Sequence, residues 1–322
     1  MKSKHVVCLV TGGAGFIGSH VAQGLLKRGY KVRIFDNLST GKAENLKIFK
    51  GSVDFVKGDL RRQQDVNKAV KGVSYVLHLA ANRAVLRSVD DPLETNDVNV
   101  TGTLRLLLAA RAAKVKRLVF SSSSSVYGNT EKFPCVETDI PNPQSPYAAS
   151  KIMGEYYCKQ FTGLFGLSTV SLRYFNVFGP RQNPESVYSA VIPIFVDCIL
   201  KRKSPEIHWD GKQSRDFSYV DNVVNGNIQA MMMPKVDGEV FNIACHEEYS
   251  VLDIFNALKK IMGIHDVKPI FKPKRAGDVR RTFAEISKSK RLLKFKVQTR
   301  FYKGLEKTVE WFLSARGPRH GR

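Results

Sequence analysis

Short apolar runs alternate with stretches in which apolar residues recur every three or four positions, and this alternation fills the first half of the chain. Val6 to Val10, Lys31 to Phe35, Val53 to Lys57, Tyr75 to Leu79, Arg117 to Ser121 and Ser168 to Arg173 read as strands. Between them, Gly15 to Arg28, Asp65 to Val70, Pro92 to Ala113 and Ala148 to Gly163 read as helices. Strand and helix in strict alternation imply α/β class, with a doubly wound parallel sheet covered on both faces. After Asn176 the pattern breaks into shorter, proline-rich pieces, with helices at Ile192 to Lys201, Val251 to Met262 and Tyr302 to Leu313. The expected division is 1–175 as the larger domain, 176–315 as a smaller one interleaved with it, and 316–322 as a basic tail. Met231 to Met233 sit in a helical stretch and read as core filler.

With 322 residues, 43% of them hydrophobic, the chain can bury a large core. It has no apolar segment long enough to span a membrane, and Met1-Lys2-Ser3-Lys4 runs at once into the first strand, so no targeting segment is expected. Five cysteines, Cys8, Cys135, Cys158, Cys198 and Cys245, lack metal-ligand spacing, and an odd number suits no disulfide framework. A reducing, cytoplasmic compartment is expected. No metal site is expected.

The first candidate chemistry lies directly after the first strand. In Thr11-Gly12-Gly13-Ala14-Gly15-Phe16-Ile17-Gly18, Gly12 allows a tight turn, Gly15 admits a pyrophosphate to the backbone, and Gly18 permits close helix packing. The next strand ends in Asp36-Asn37, where a carboxylate can accept ribose hydroxyls. Asp36 therefore favours NAD over NADP, with Arg33 and Lys42 close by as opposing cations. The second lies in the serine run from Ser121 to Ser125, followed by Ser145-Pro146-Tyr147-Ala148-Ala149-Ser150-Lys151. Tyr147 and Lys151 are one helical turn apart, so an ammonium would stand beneath a phenol and favour the phenolate.

These segments, with DNLSTG at Asp36 to Gly41, GDL at Gly58 to Leu60, HLAA at His78 to Ala81, NVTGT at Asn99 to Thr103, RYFNVFGPRQNP at Arg173 to Pro184 and SRDFSYVDN at Ser214 to Asn222, resemble the extended short-chain dehydrogenases, and within them the nucleotide-sugar 4-epimerases. The resemblance spans nearly the whole chain. It implies a Rossmann-type sheet that binds NAD through Gly12, Gly15, Phe16, Ile17, Asp36, Asn37, Ser39, Gly41, Asp59, Leu60, Leu79, Ala80, Ala81 and Asn99, together with Tyr147 and Lys151. It also implies catalysis by Ser123, Tyr147 and Lys151. Tyr147 would take the sugar hydroxyl proton, Lys151 would stabilise the phenolate and hold the ribose, and Ser123 would donate to the sugar oxygen. Related 4,6-dehydratases carry an acidic pair where this chain has Ser124 and Ser125, and decarboxylases a glutamate at the second place, so epimerisation fits the two hydroxyls better.

For a UDP-sugar substrate the resemblance implies contacts from Arg83, Ser123, Ser124, Asn176, Val191, His208, Arg215, Arg275, Asp278 and Thr282. Arg215 and Arg275 would grip the diphosphate, Asp278 a nucleoside ribose hydroxyl. Ala190 to Pro193 resembles the subgroup acting on UDP-N-acetylhexosamines. Thr282 stands where enzymes restricted to glucose and galactose carry a bulky tyrosine. UDP-GlcNAc/UDP-GalNAc interconversion is therefore expected, possible alongside UDP-Glc/UDP-Gal. Two departures keep other readings open. Trp209 replaces a glycine near Glu206-Ile207-His208, where the base is read, and Arg83 in Asn82-Arg83-Ala84 could meet a uronate carboxylate, making a UDP-uronic acid 4-epimerase the alternative. Asp216 and Asp221 read as loop and cap residues. A homodimer is implied, through the helices Pro92 to Ala113 and Ala148 to Gly163. Finally, 51 basic against 29 acidic residues give a net charge of +22, more than a dianionic substrate requires, so a non-enzymatic RNA binder on the same fold is the alternative from another class.

Overall fold

A computed structural model describes residues 6–83, 85–182, 191–274 and 279–315. Its centre is a seven-stranded sheet whose order is Val240–Ile243, Thr169–Tyr174, Arg117–Ser123, Tyr75–His78, Val7–Thr11, Lys31–Asp36, Val53–Lys57, with every neighbouring pair parallel. The predicted Rossmann-type α/β class is the fold. All six sequence-predicted strands are present, and the seventh comes from beyond residue 176, so the second half of the chain is woven into the sheet.

Apart from the edge strand Val53–Lys57, which is largely exposed, the runs are apolar without alternation because both faces of the sheet are buried. Cys8, Val10, Leu77 and Val119 face one apolar cluster, completed by the helices Phe16–Leu26 and Val220–Met232. Leu9, Val76, Leu118 and Phe120 face the other, with the helices Gln63–Val70, Gly102–Ala112 and Pro146–Phe165. Fully burying one such side chain is worth roughly 1.5–3 kcal/mol. Gly24 lets the first pair of helices touch, since a Cβ there would lie 2.5 Å from Val224 Cγ1. Val220–Met232, the helical stretch to which the methionines are assigned, is buried on nearly all sides. Of the three methionines read as core, Met231 is buried, whereas Met232 at the helix end is half exposed. The predicted helix Pro92 to Ala113 is built as Pro92–Asn96, a π-helical turn Asp97–Thr101, and Gly102–Ala112.

A third cluster, including Phe178, Phe195, Ile207, Phe217, Ile254 and Phe301, packs small paired strands against the helices Val191–Leu200, Val251–Met262 and Phe301–Ala315. Among the strands are Ser214–Asp216, flanked by Glu248–Ser250 and Arg281–Thr282, and Glu206–His208 beside Ile270–Lys272. Asp216 is buried in this layer and accepts the backbone N–H groups of Cys245 and His246 at 2.9 and 3.0 Å. Asp221 lies instead in the first turn of Val220–Met232, 3.7 Å from Lys307 Nζ. Among the described residues, no helix is long and apolar enough to cross a membrane.

Candidate active site

All parallel strands end at one edge, and a cavity of about 640 Å³ opens there. Its first wall is backbone. Gly12 has φ +69°, and a Cβ on it would lie 2.7 Å from Ala80 N; a Cβ on Gly18 would lie 2.1 Å from Gly12 O. Only glycine keeps this turn and the Leu79-Ala80-Ala81 segment in contact. A buried chain of side chains fixes the same contact from behind. Thr11 Oγ1 receives the N–H groups of Leu79 and Ala80, both at 3.1 Å, so its own hydrogen goes to His78 Nδ1 at 2.7 Å. His78 then carries its proton on Nε2 and donates to Thr103 at 2.9 Å. Burial holds the ring neutral, its pKa lowered to about 3.

Asp36 ends its strand with Oδ2 accepting Ala14 N–H at 2.9 Å and Oδ1 accepting Leu38 N–H at 2.8 Å; burial raises its pKa. Arg33 is withdrawn from this end of the cavity, tied to Asp54 at 2.6 Å and to the carbonyls of Ala69 and Lys71, while Lys42 lines it. Asn37 donates to Asp59 at 3.0 Å, and the Arg61 guanidinium holds the Asp59 carboxyl well below the usual range. Phe16, Ile17, Ser39, Gly41, Leu60 and Ala81 complete this wall. Glycines that admit no Cβ beside a helix start, with a carboxylate one strand away, fit a dinucleotide. Asn99 does not line the cavity: it is buried behind the wall, receiving Asn82 N–H at 2.7 Å and donating to Asn82 O and to Ser150.

The five serines divide by what they touch. Ser121 and Ser122 face inward. Tyr174 donates to Asn227, so Ser121 Oγ donates to Tyr174 at 3.0 Å, and Ser122 donates to Glu155. Ser123 Oγ accepts both the N–H (3.2 Å) and the hydroxyl (2.9 Å) of Ser125. With both lone pairs occupied, its one hydrogen is free to be donated, and it lies within hydrogen-bonding reach of Tyr147. Ser125 thus orients Ser123, a role invisible in a run of identical residues. Ser145 caps the helix carrying Tyr147 and Lys151 by accepting Ala148 N–H.

Lys151 does not hydrogen-bond the phenol. Its ammonium donates to Ser121 O at 2.9 Å and stands 5.7 Å from the Tyr147 ring centroid. The expected lowering of the Tyr147 pKa by this cation is not found: burial raises it, offset in part by the Ser123 hydrogen bond and the Arg83 charge. Burial also lowers Lys151 to about 8, against Glu155, which raises it. Glu155 is itself locked to Arg173 at 2.7 and 2.9 Å, an ion pair beneath the site with both partners 4% exposed.

Opposite stand Asn176, Arg215 and Thr282. Asn176 Nδ2 donates to Asp216 O and to Thr282 Oγ1, each at 3.2 Å, and Arg215 donates to Val279 O at 2.6 Å. Arg83, Ser124 and the unforeseen Arg181, Arg87 and Glu94 also line the cavity. Arg181 bonds His20 and Gln23 of the first helix, both at 3.1 Å. Its position inside the RYFNVFGPRQNP motif was the available signal. Val191 packs in the third apolar cluster, and His208 bonds Pro273 O at 3.1 Å; neither lines the cavity. Arg275 and Asp278 lie outside the described residues.

The fold and this site define a Rossmann-type short-chain dehydrogenase. Residues 8–244 match the NAD dependent epimerase/dehydratase family. A UDP-glucose 4-epimerase of Mycolicibacterium smegmatis is 38% identical over 313 residues, covering 94% of this chain and 97% of the relative. Among solved structures, a UDP-N-acetylglucosamine 4-epimerase from Methanobrevibacter ruminantium, in complex with UDP-N-acetylmuramic acid, is 40% identical with TM-score 0.92, covering 98% of this chain and all of the other. A mutant UDP-glucuronic acid 4-epimerase from Bacillus cereus, with NAD and UDP-4-deoxy-4-fluoro-glucuronic acid, is 33% identical with TM-score 0.89, covering 96% and 100%. The chain belongs to the NAD-dependent epimerase/dehydratase family of extended short-chain dehydrogenases. It is an NAD-dependent isomerase of the nucleotide-sugar epimerase kind.

Proposed function

We propose that the protein interconverts UDP-GlcNAc and UDP-GalNAc, and UDP-Glc and UDP-Gal alongside, by epimerisation at C4. The observation that carries 4-epimerisation is Ser123 beside Tyr147 and Lys151 with no free carboxyl group at hand. Among the described residues, the acids lining the cavity are Asp36, Asp59 and Glu94, engaged by backbone N–H groups, by Arg61 and by Arg87 respectively. Elimination of water lacks its acid and base there. Thr282 on the sugar side supports an N-acetylated substrate, because its small side chain leaves room.

The glycine turn and Asp36 would hold NAD, which when bound supplies a hydride acceptor that returns the hydride to the opposite face of the same carbon. The chain's own groups handle the proton. Tyr147 takes it from the sugar 4-hydroxyl, helped by the positive charge of Arg83, while the Lys151 ammonium would hold the cofactor ribose. Ser123, its lone pairs filled by Ser125, donates its hydrogen to the sugar oxygen as that oxygen gains carbonyl character. Arg215 and Asn176 bind the diphosphate, and the sugar turns about that anchor. Arg83 favours a second reading, a UDP-uronic acid 4-epimerase: it is an exposed cation on the cavity beside Tyr147, where a carboxylate would pair with it.

A homodimer is supported by the apolar side chains of Leu86, Val89 and Leu93, between 56% and 79% exposed, on the helices Val85–Asp90 and Pro92–Asn96, with Met153 and Tyr156 on Pro146–Phe165. The test incubates the enzyme separately with UDP-GlcNAc, UDP-Glc and UDP-GlcA and follows the anomeric and H4 protons by NMR. A 4-epimer from UDP-GlcNAc, absent with Tyr147→Phe, is expected. Turnover of UDP-GlcA alone would replace the first reading by the second.

A further inference from the structure

Because all seven strands are parallel, the turns entering them share the edge opposite the cavity. Lys27 and Arg28 follow the first helix there and Lys31 opens the next strand; Lys50 precedes Val53–Lys57. Lys71 precedes Tyr75–His78, Lys114 and Lys116 precede Arg117–Ser123, and Lys235 precedes Val240–Ile243. All eight are exposed, and none of them has an ion pair among the described residues. The acids in these turns are Asp237 and Glu239, already paired with Arg117 at 2.8 Å and Lys288 at 2.7 Å. In strand order the cations spread across the whole edge, six steps of ~4.8 Å or about 29 Å.

Helices between parallel strands run the other way, so their last residues reach this edge too. There, Leu164 is 75% exposed, Phe165 42% and Met232 49%. Seven of the eight cations are lysines, point charges without the planar fork that reads nucleic acid. Lysines around a few protruding apolar side chains match an anionic lipid surface, where each basic residue contributes charge attraction and the apolar tips enter the headgroup layer.

We propose that this edge docks the enzyme peripherally on anionic membranes, with the cavity mouth turned away and open to substrate. The assay is co-sedimentation of the full chain with vesicles of phosphatidylcholine alone or with about one-third phosphatidylglycerol, at ~0.05 and ~0.5 M salt. Binding to the anionic vesicles at low salt only is expected. K27E/K31E/K114E/K116E should weaken it at least about tenfold while turnover in solution, which these residues do not touch, is kept. Leu164→Ser should weaken it by a smaller factor. Absence of binding to anionic vesicles, binding undiminished in the quadruple variant, or tighter binding to duplex RNA at the same salt would each overturn the proposal.

Discussion

The two walls of the cavity are made differently. The dinucleotide wall is close-packed backbone in which a methyl group on Gly12 or Gly18 has no space, braced by the Thr11, His78 and Thr103 chain. The sugar wall is made of side chains, Asn176, Thr282 and Arg215, held by hydrogen bonds to neighbouring segments. A wall of backbone is rigid and tolerates no change, whereas a wall of side chains can be altered one residue at a time. Cofactor choice should therefore be hard to move in this protein, and sugar choice easy.

The sharpest way to break this contrast is Gly18→Ala. A methyl group 2.1 Å from Gly12 O forces the turn apart, and loss of bound NAD with complete loss of turnover is expected, read from cofactor released on denaturation. Retention of NAD would show the wall to be less rigid than drawn. Tyr147→Phe, between the walls, should lower kcat by about 10²–10⁴ while leaving NAD bound. On the sugar wall, Thr282→Tyr should lower kcat/KM for UDP-GlcNAc relative to UDP-Glc by roughly 10–100-fold with NAD retention unchanged; equal losses on both sugars would mean that residue 282 does not set the space.

Two pH profiles refine the picture. Lys151, lowered from 10.5 to about 8, loses its charge above pH 8, so kcat/KM should fall there. Over the same window the unfolded chain binds more protons than the folded one, so this group makes stability rise with pH. Opposite slopes of activity and urea midpoint between about pH 8 and 10 are the expected signature. His78, lowered to about 3, acts at the other end: its contribution is intact above pH 6.5 and is lost as pH falls toward 3. A His78→Gln variant that still folds should show a flatter acid limb.

The same contrast explains what was legible beforehand. Residues of the dinucleotide wall are contiguous with strand ends, so motif and position coincide, and every one named there lines the cavity except Asn99, which braces it from behind. The sugar wall is assembled from segments far apart in sequence. Asn176 and Thr282 meet although 106 residues separate them, while His208 and Val191, equally plausible by motif, turn into packing. The part Ser125 plays was hidden among identical serines because only geometry shows which lone pairs are filled. The helix Val220–Met232 is legible only as a helical stretch around Met231 to Met233, without bounds, because burial on almost every side blurs the two-faced pattern by which helix ends are recognised.

The tethering of Arg33 sets the terms for cofactor engineering. A redesign toward the phosphorylated dinucleotide would look first to the basic residue three positions before the selectivity carboxylate, yet Arg33 is anchored by Asp54 and two carbonyls from the Gln63–Val70 helix and the turn after it. Removing Asp36 alone would thus leave the extra phosphate without Arg33 as a partner. Lys42, already on the cavity, is the cation around which such a variant would have to be built.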